Sequence, residues 1–85
     1  MKISLIHPSR GRAMKAYHTF MNWLNYNSLM FEIEHILSLD NDDAEASKYK
    51  LLFTRSVILE NNNSSLVEAT NRAASAATGD ILIYL

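Results

Sequence analysis

Apolar residues along the chain fall into two alternating rhythms, one nearly continuous or of period two, the other of period three to four. Ile3, Leu5 and Ile6 lie in Lys2 to His7, which ends against Pro8, a residue that cannot donate to a ladder, and this predicts a first strand. Ala13, Ala16/Tyr17, Phe20 and Trp23/Leu24 then recur at helical spacing until Asn25-Tyr26-Asn27-Ser28 breaks the pattern. Phe31 to Leu39 predicts a second strand with Ile33, His35, Leu37 and Leu39 on one face. In the acidic turn Asp40-Asn41-Asp42-Asp43, Asp42 with Glu45 predicts the cap of a short helix running to about Phe53. Ser56 to Glu60, carrying Val57, Ile58 and Leu59, predicts a third strand. After the asparagine-rich turn, Ser65 and Glu68 form a capping box for a helix that puts Leu66, Ala69, Ala73 and Ala76/Ala77 on one face. Alanines there let the helix lie close on a sheet. Gly79 is expected to supply a left-handed stop, and Ile81 to Leu85 reads as a buried strand.

The predicted order is βαβαβαβ, which implies a three-layer α/β domain: a parallel four-stranded sheet with right-handed crossovers and helices on its faces. Residues 1–85 form one domain, and 48 % hydrophobic with 20 % charged residues agrees with a folded core. A net charge of −1 provides no field for nucleic acid or anionic lipid. The lack of cysteine removes disulfides and thiolate chemistry. The amino-terminal apolar run is too short for a secretory signal or a membrane span, so a cytoplasmic location is expected.

In parallel sheets ligands bind beyond the carboxyl ends of the strands, near the point where strand order reverses. That selects His7 to Arg12, Asp40 to Asp43 and Asn61 to Ser65. The Pro8-Ser9-Arg10-Gly11-Arg12 turn puts two guanidinium groups and free backbone N–H groups at a helix start, which suits a phosphate. From this turn alone the favoured reading is that Ser9 caps the helix while both arginines are solvated. Asp40 can accept from a ribose hydroxyl or a pyrimidine N–H, or it can serve as a turn former, with Asp42 and Asp43 capping the next helix. A metal site from Asp40, Asp42 and Asp43 ranks low, because the run lacks the glycine and distant glutamate of a calcium loop. Asn71 is expected to satisfy a nearby loop backbone. His7, His18 and His35 are scattered and expected in core or surface roles, and Trp23 is expected to pack on the sheet.

Taken together these residues resemble the amino-terminal, nucleotide-binding half of a family 2 glycosyltransferase with the GT-A fold, a Rossmann-like arrangement. The resemblance rests on the Pro-x-Arg-like turn Pro8-Ser9-Arg10, the acidic end Asp40-Asn41-Asp42-Asp43, and the pattern Ala-x-Asn-x-Ala-x-x-x-Ala-x-Gly-(Asp/Glu)-Ile, matched by Ala69 to Ile81. It implies a nucleotide-diphosphate sugar, usually UDP-linked, with Pro8, Ser9 and Arg10 beside the nucleotide, Asp40 reading its base, and Asp42 and Asn63 nearby. It also implies a divalent metal, Mn or Mg, held by an Asp-x-Asp motif that follows the strand ending at Leu85, and an acceptor half later still. Lacking both, the 85-residue chain resembles half a transferase, expected to be inactive by itself and to have no catalytic or metal-binding residue of its own.

The alternative is a non-enzymatic α/β module acting by self-association or partner binding. A homodimer through the apolar strand-four region is expected in either case. A nicotinamide-binding domain ranks last, because no glycine-rich turn follows strand one.

Overall fold

The computed structural model describes residues 1–27, 31–62 and 65–85. Their order is β1 (Lys2–Pro8), α1 (Ala13–Asn27), β2 (Glu32–Asp40), α2 (Ala46–Leu52), β3 (Val57–Asn61), α3 (Leu66–Ala76) and β4 (Ile81–Tyr84). All strand pairs are parallel and the sheet order is β3-β2-β1-β4, so the predicted α/β architecture holds. The chain steps from β1 to β3 in one direction and then returns past β1 to place β4. Strand order therefore reverses between β1 and β4.

Because β1 pairs in register with β2, Leu5 opposite His35 and His7 opposite Leu37, alternate residues of both strands sort onto two faces. Ile3, Leu5, Leu37 and Leu39 pack with Ala13, Ala16 and Phe20 of α1 and with Tyr49 and Phe53 at α2. On the other face Ile6 and Ile36 meet Ala73 of α3, with Leu59 and Ala77 beside them. The side chains of Ser4, Glu34 and Ser38 also lie under α3. Each is paired: Ser4 Oγ donates to Glu34 at 2.7 Å, and Asn61 Nδ2 donates to Ser38 Oγ at 2.8 Å.

Several expectations change in detail. The helix α1 runs through Asn27 instead of breaking at Asn25, since the low helix propensity of asparagine is a weak prior. In α3 only Ala69 and Ala73 are buried, and Leu66, expected on the sheet, is 70 % exposed. Asn71 is exposed, and the loop backbone it was expected to satisfy is served by Arg72, whose Nη1 donates to Glu60 O at 2.6 Å and Asn61 Oδ1 at 2.7 Å. Ser65 caps α3 as predicted, accepting from Glu68 N.

Gly79 is not in the left-handed region; Gly11 is the described glycine with positive φ, at 63°. The helix instead ends with Ala77 in extended conformation, and Gly79 is needed for a close approach to β1, whose Ser4 Oγ accepts from Gly79 N at 2.9 Å. The fourth strand is an edge, not a buried strand: Ile81, Leu82 and Tyr84 are 41, 37 and 57 % exposed. No helix among the described residues is long and apolar enough to cross a membrane.

Candidate functional site

The carboxyl ends of β1 and β2 and the first turn of α3 enclose a cleft of about 180 Å3, lined by Pro8, Ser9, Arg10, Ser38, Asp40 and Leu66 among others. It forms because two short connections, residues 9–12 and 41–45, leave the sheet side by side. Arg10 Nη1 bridges them, donating to Asp40 Oδ2 at 2.7 Å and to Asp42 Oδ1 at 3.0 Å. The hydrogen bond from Arg10 holds the Asp42 carboxyl below the usual carboxylate range, and Asp42 and Asp40 in turn raise the pKa of Arg10. The side chain of Asp40 is 14 % exposed, and its Oδ1 makes no hydrogen bond among the described residues. Four of the six predicted site residues, Pro8, Ser9, Arg10 and Asp40, line one cleft; Asp42 reaches it through Arg10, and Asn63 lies outside the described residues.

The start of α1 matches neither reading of its turn, the free anion cradle or the Ser9 cap. Gly11 N donates to Asp43 Oδ2 at 2.7 Å, Arg12 N to the Tyr49 hydroxyl at 3.0 Å and Ala13 N to Glu45 Oε1 at 3.2 Å. The orphan donors of the first turn are thus satisfied by the neighbouring connection and α2, and two of the three acceptors are carboxylates, the charge a helix N-terminus favours. Ser9 does not cap α1. Its hydroxyl pairs with Tyr49 at 2.7 Å, and its N–H donates to Ser38 O at 3.1 Å.

Glu45 is also the N-cap residue of α2, yet makes no side-chain cap there; Asp43 Oδ1 accepts from Glu45 N at 2.9 Å. Asp42 is drawn away to Arg10, which corrects the expected Asp42–Glu45 cap. With Asp40 and Asp42 engaged by a guanidinium and Asp43 by two backbone N–H groups, this acidic turn does not fit a divalent cation. Among the described residues no three or more His, Asp or Glu side chains are grouped as metal ligands.

A second opening of about 180 Å3 adjoins the first, sharing Pro8, Ser9 and Arg12 and adding Lys15, Thr19 and Leu85. It lies beside β1 near Leu85, whose N–H donates to Ile6 O at 2.9 Å, and so sits at the reversal of strand order. Arg12 and Lys15 give it a positive wall.

The histidines are less scattered than their spacing indicates. His7 Nδ1 and His35 Nε2 are 3.0 Å apart, and His35 Nδ1 is 2.6 Å from Ser56 Oγ. Burial, and then Arg12, lower the pKa of His7 to about 4; burial, and then His7, lower that of His35 to about 3. Both rings are therefore neutral at physiological pH. His35 is also stacked on Phe20 with centroids 4.0 Å apart. Nothing local in the sequence signals this pair, since 28 residues separate its members and only the strand register brings them together. Ser38, by contrast, was discoverable: it stands two residues before Asp40 and so points to the same face.

Comparison of the chain with protein families, with curated proteins and with solved structures finds no match.

Proposed function

We propose that the chain binds a nucleotide across the carboxyl edge of its sheet, as the donor-binding part of a glycosyltransferase that uses a nucleotide-diphosphate sugar. The observation that carries this reading is Asp40: a carboxylate at the end of a central parallel strand, oriented by Arg10 through one oxygen and free to accept through the other, in a cleft walled by Pro8 and Leu66. A pyrimidine imide presents a single N–H to such an acceptor, and apolar walls suit the faces of its ring. The two adjoining openings share Pro8, Ser9 and Arg12, so a base near Asp40 directs its phosphates over that turn toward Arg12 and Lys15. With the backbone N–H groups of α1 already used, these two side chains carry the anion binding. Affinity of this chain alone is weak, ~1 mM, or about −4 kcal/mol.

The test is a ligand-observed NMR titration with UDP on the parent and on Asp40→Asn, with AMP as a control for nonspecific phosphate binding. Asp40→Asn keeps the shape but replaces a charged acceptor, worth roughly 1.5 to 3 kcal/mol, so UDP binding should fall below detection. Equal binding of UDP to both proteins, or equal competition by AMP, would refute the base-reading role.

A second reading is favoured by the exposed outer edge of β4: self-association through that strand, with the cleft unused. A dimer that forms without any nucleotide affinity would support it over the first.

A further inference from the structure

An opening larger than either of those at the carboxyl edge lies elsewhere among the described residues, on the face of the sheet that carries α1 and α2. This groove, about 470 Å3, is walled by Tyr17, Phe20, Met21, Leu24, Leu52 and Phe53. His35 and Ser56 contribute its polar floor, and exposed Arg55 one side. We infer that the groove binds a small molecule with a flat apolar body and a carboxylate, the body lying among the aromatic walls and the carboxylate meeting Arg55 and the Ser56 hydroxyl. This stands apart from the nucleotide reading and does not depend on it.

Three observations converge on that ligand. The volume falls within the range of small-molecule sites, and the lining follows their usual composition, apolar and aromatic with a few convergent polar groups. The charge is specified by Arg55, which has neither an ion pair nor a hydrogen bond among the described residues, whereas Arg10 and Arg72 are each engaged. A cation would be repelled there, and a neutral molecule would leave the guanidinium unused. The Ser56–His35–His7 chain is able to turn the serine O–H toward such an acceptor.

With both rings neutral, that chain has two proton arrangements. In one, Ser56 donates its O–H to His35 Nδ1, and His35 Nε2–H donates to His7 Nδ1. In the other, His7 Nδ1–H donates to His35 Nε2, His35 Nδ1–H donates to Ser56 Oγ, and the serine O–H is free to donate into the groove. A carboxylate selects the second arrangement. Its arrival therefore holds both histidines as Nδ1–H tautomers, with no proton gained or lost by the protein.

The experiment uses naphthalene-2-carboxylate as probe and naphthalene-2-carboxamide as its uncharged counterpart, titrated into the ¹⁵N-labelled full chain. The carboxylate is expected to shift the amides of Phe53 to Ser56 and to leave His35 and His7 with the ring-nitrogen resonances of the Nδ1–H form. Arg55→Gln, a surface change, should weaken it about tenfold, as loss of a charge-assisted hydrogen bond predicts, and the carboxamide should bind the parent no better than the carboxylate binds that variant. Met21→Trp, which fills the groove, should abolish binding in a chain that still gives a dispersed spectrum. The inference is overturned if the probe shifts no groove resonance at millimolar concentration, if Arg55→Gln and the carboxamide make no difference, or if His35 or His7 is in the Nε2–H form in the bound chain. It is also overturned if the groove resonances broaden with protein concentration alone, because the occupant is then a second copy of the chain.

Discussion

Gly79 lies so close to Ser4 that a Cβ on the glycine would stand 2.5 Å from Ser4 Oγ and 2.8 Å from Ser4 N. The neighbour is a central strand whose serine is already held by Glu34, so the backbone cannot yield cheaply. Gly79→Ala should lower stability by about 3 kcal/mol, read as a fall in the urea midpoint. Gly11→Ala meets open space and bears only the strain of a positive φ, about 1 kcal/mol. If the two variants lose equal stability, close approach is not what the site requires.

Acid should weaken the fold well above the carboxylate range. Both His7 and His35 have folded pKa values below the ordinary 6.5, about 4 and about 3, so below pH 6.5 the unfolded chain takes up protons that the native state refuses. Stability is complete above that pH and declines as pH falls, by roughly 1 to 3 kcal/mol per unit between pH 6 and 4.5. Asp42 and Glu34, whose pKa values are also lowered, add to the loss from the acid end of that window downward. Urea titrations at pH 7.5, 6 and 5 measure the slope, and His18→Gln, at an exposed ring, should leave it unchanged. A flat profile would contradict burial of the pair.

Tyr49 is buried on α2 and lines neither opening at the carboxyl edge, yet its hydroxyl holds both Ser9 and Arg12 N. Tyr49→Phe removes one oxygen, leaves an N–H short of an acceptor and should cost about 1 to 2 kcal/mol. Faster hydrogen exchange at Arg12 and a weaker response to UDP are expected together. Unchanged exchange would show that the turn is held by other means.

The edge strand should mediate association. Light scattering at micromolar concentration is expected to give twice the chain mass, and Leu82→Lys, which puts a charge on the exposed edge, should restore the monomer. A parent that is monomeric under those conditions removes β4 as an interface.

The fold was legible wherever periodicity was local. The two rhythms of apolar spacing located the four strands, α1 and α3, whereas α2 was expected from an Asp42–Glu45 cap that does not form; the alternation along β2 placed His35 with Leu37 and Leu39 on one face. The Ser65 cap was likewise visible, because its partner is three residues away. What could not be read were bonds between connections that meet only in three dimensions. The charge-rich turns at Arg10 and Asp42 looked solvent-facing or ligand-facing, and they mainly satisfy each other. Gly79 fitted a common helix-ending rule, whereas the demand on it comes from Ser4, 75 residues away.

The strand order carries a consequence for how the chain assembles. Everything from β1 to β3 can pair by successive crossovers as it leaves the ribosome, but the other edge of β1 has its partner only when residues 79–85 arrive. Until then the most deeply buried strand of the finished domain, with Leu5 and Ile6 at its centre, presents an open row of backbone donors and acceptors. Residues 79–85 therefore close a window of aggregation during synthesis, and delay at that point leaves open an edge that the folded sheet hides.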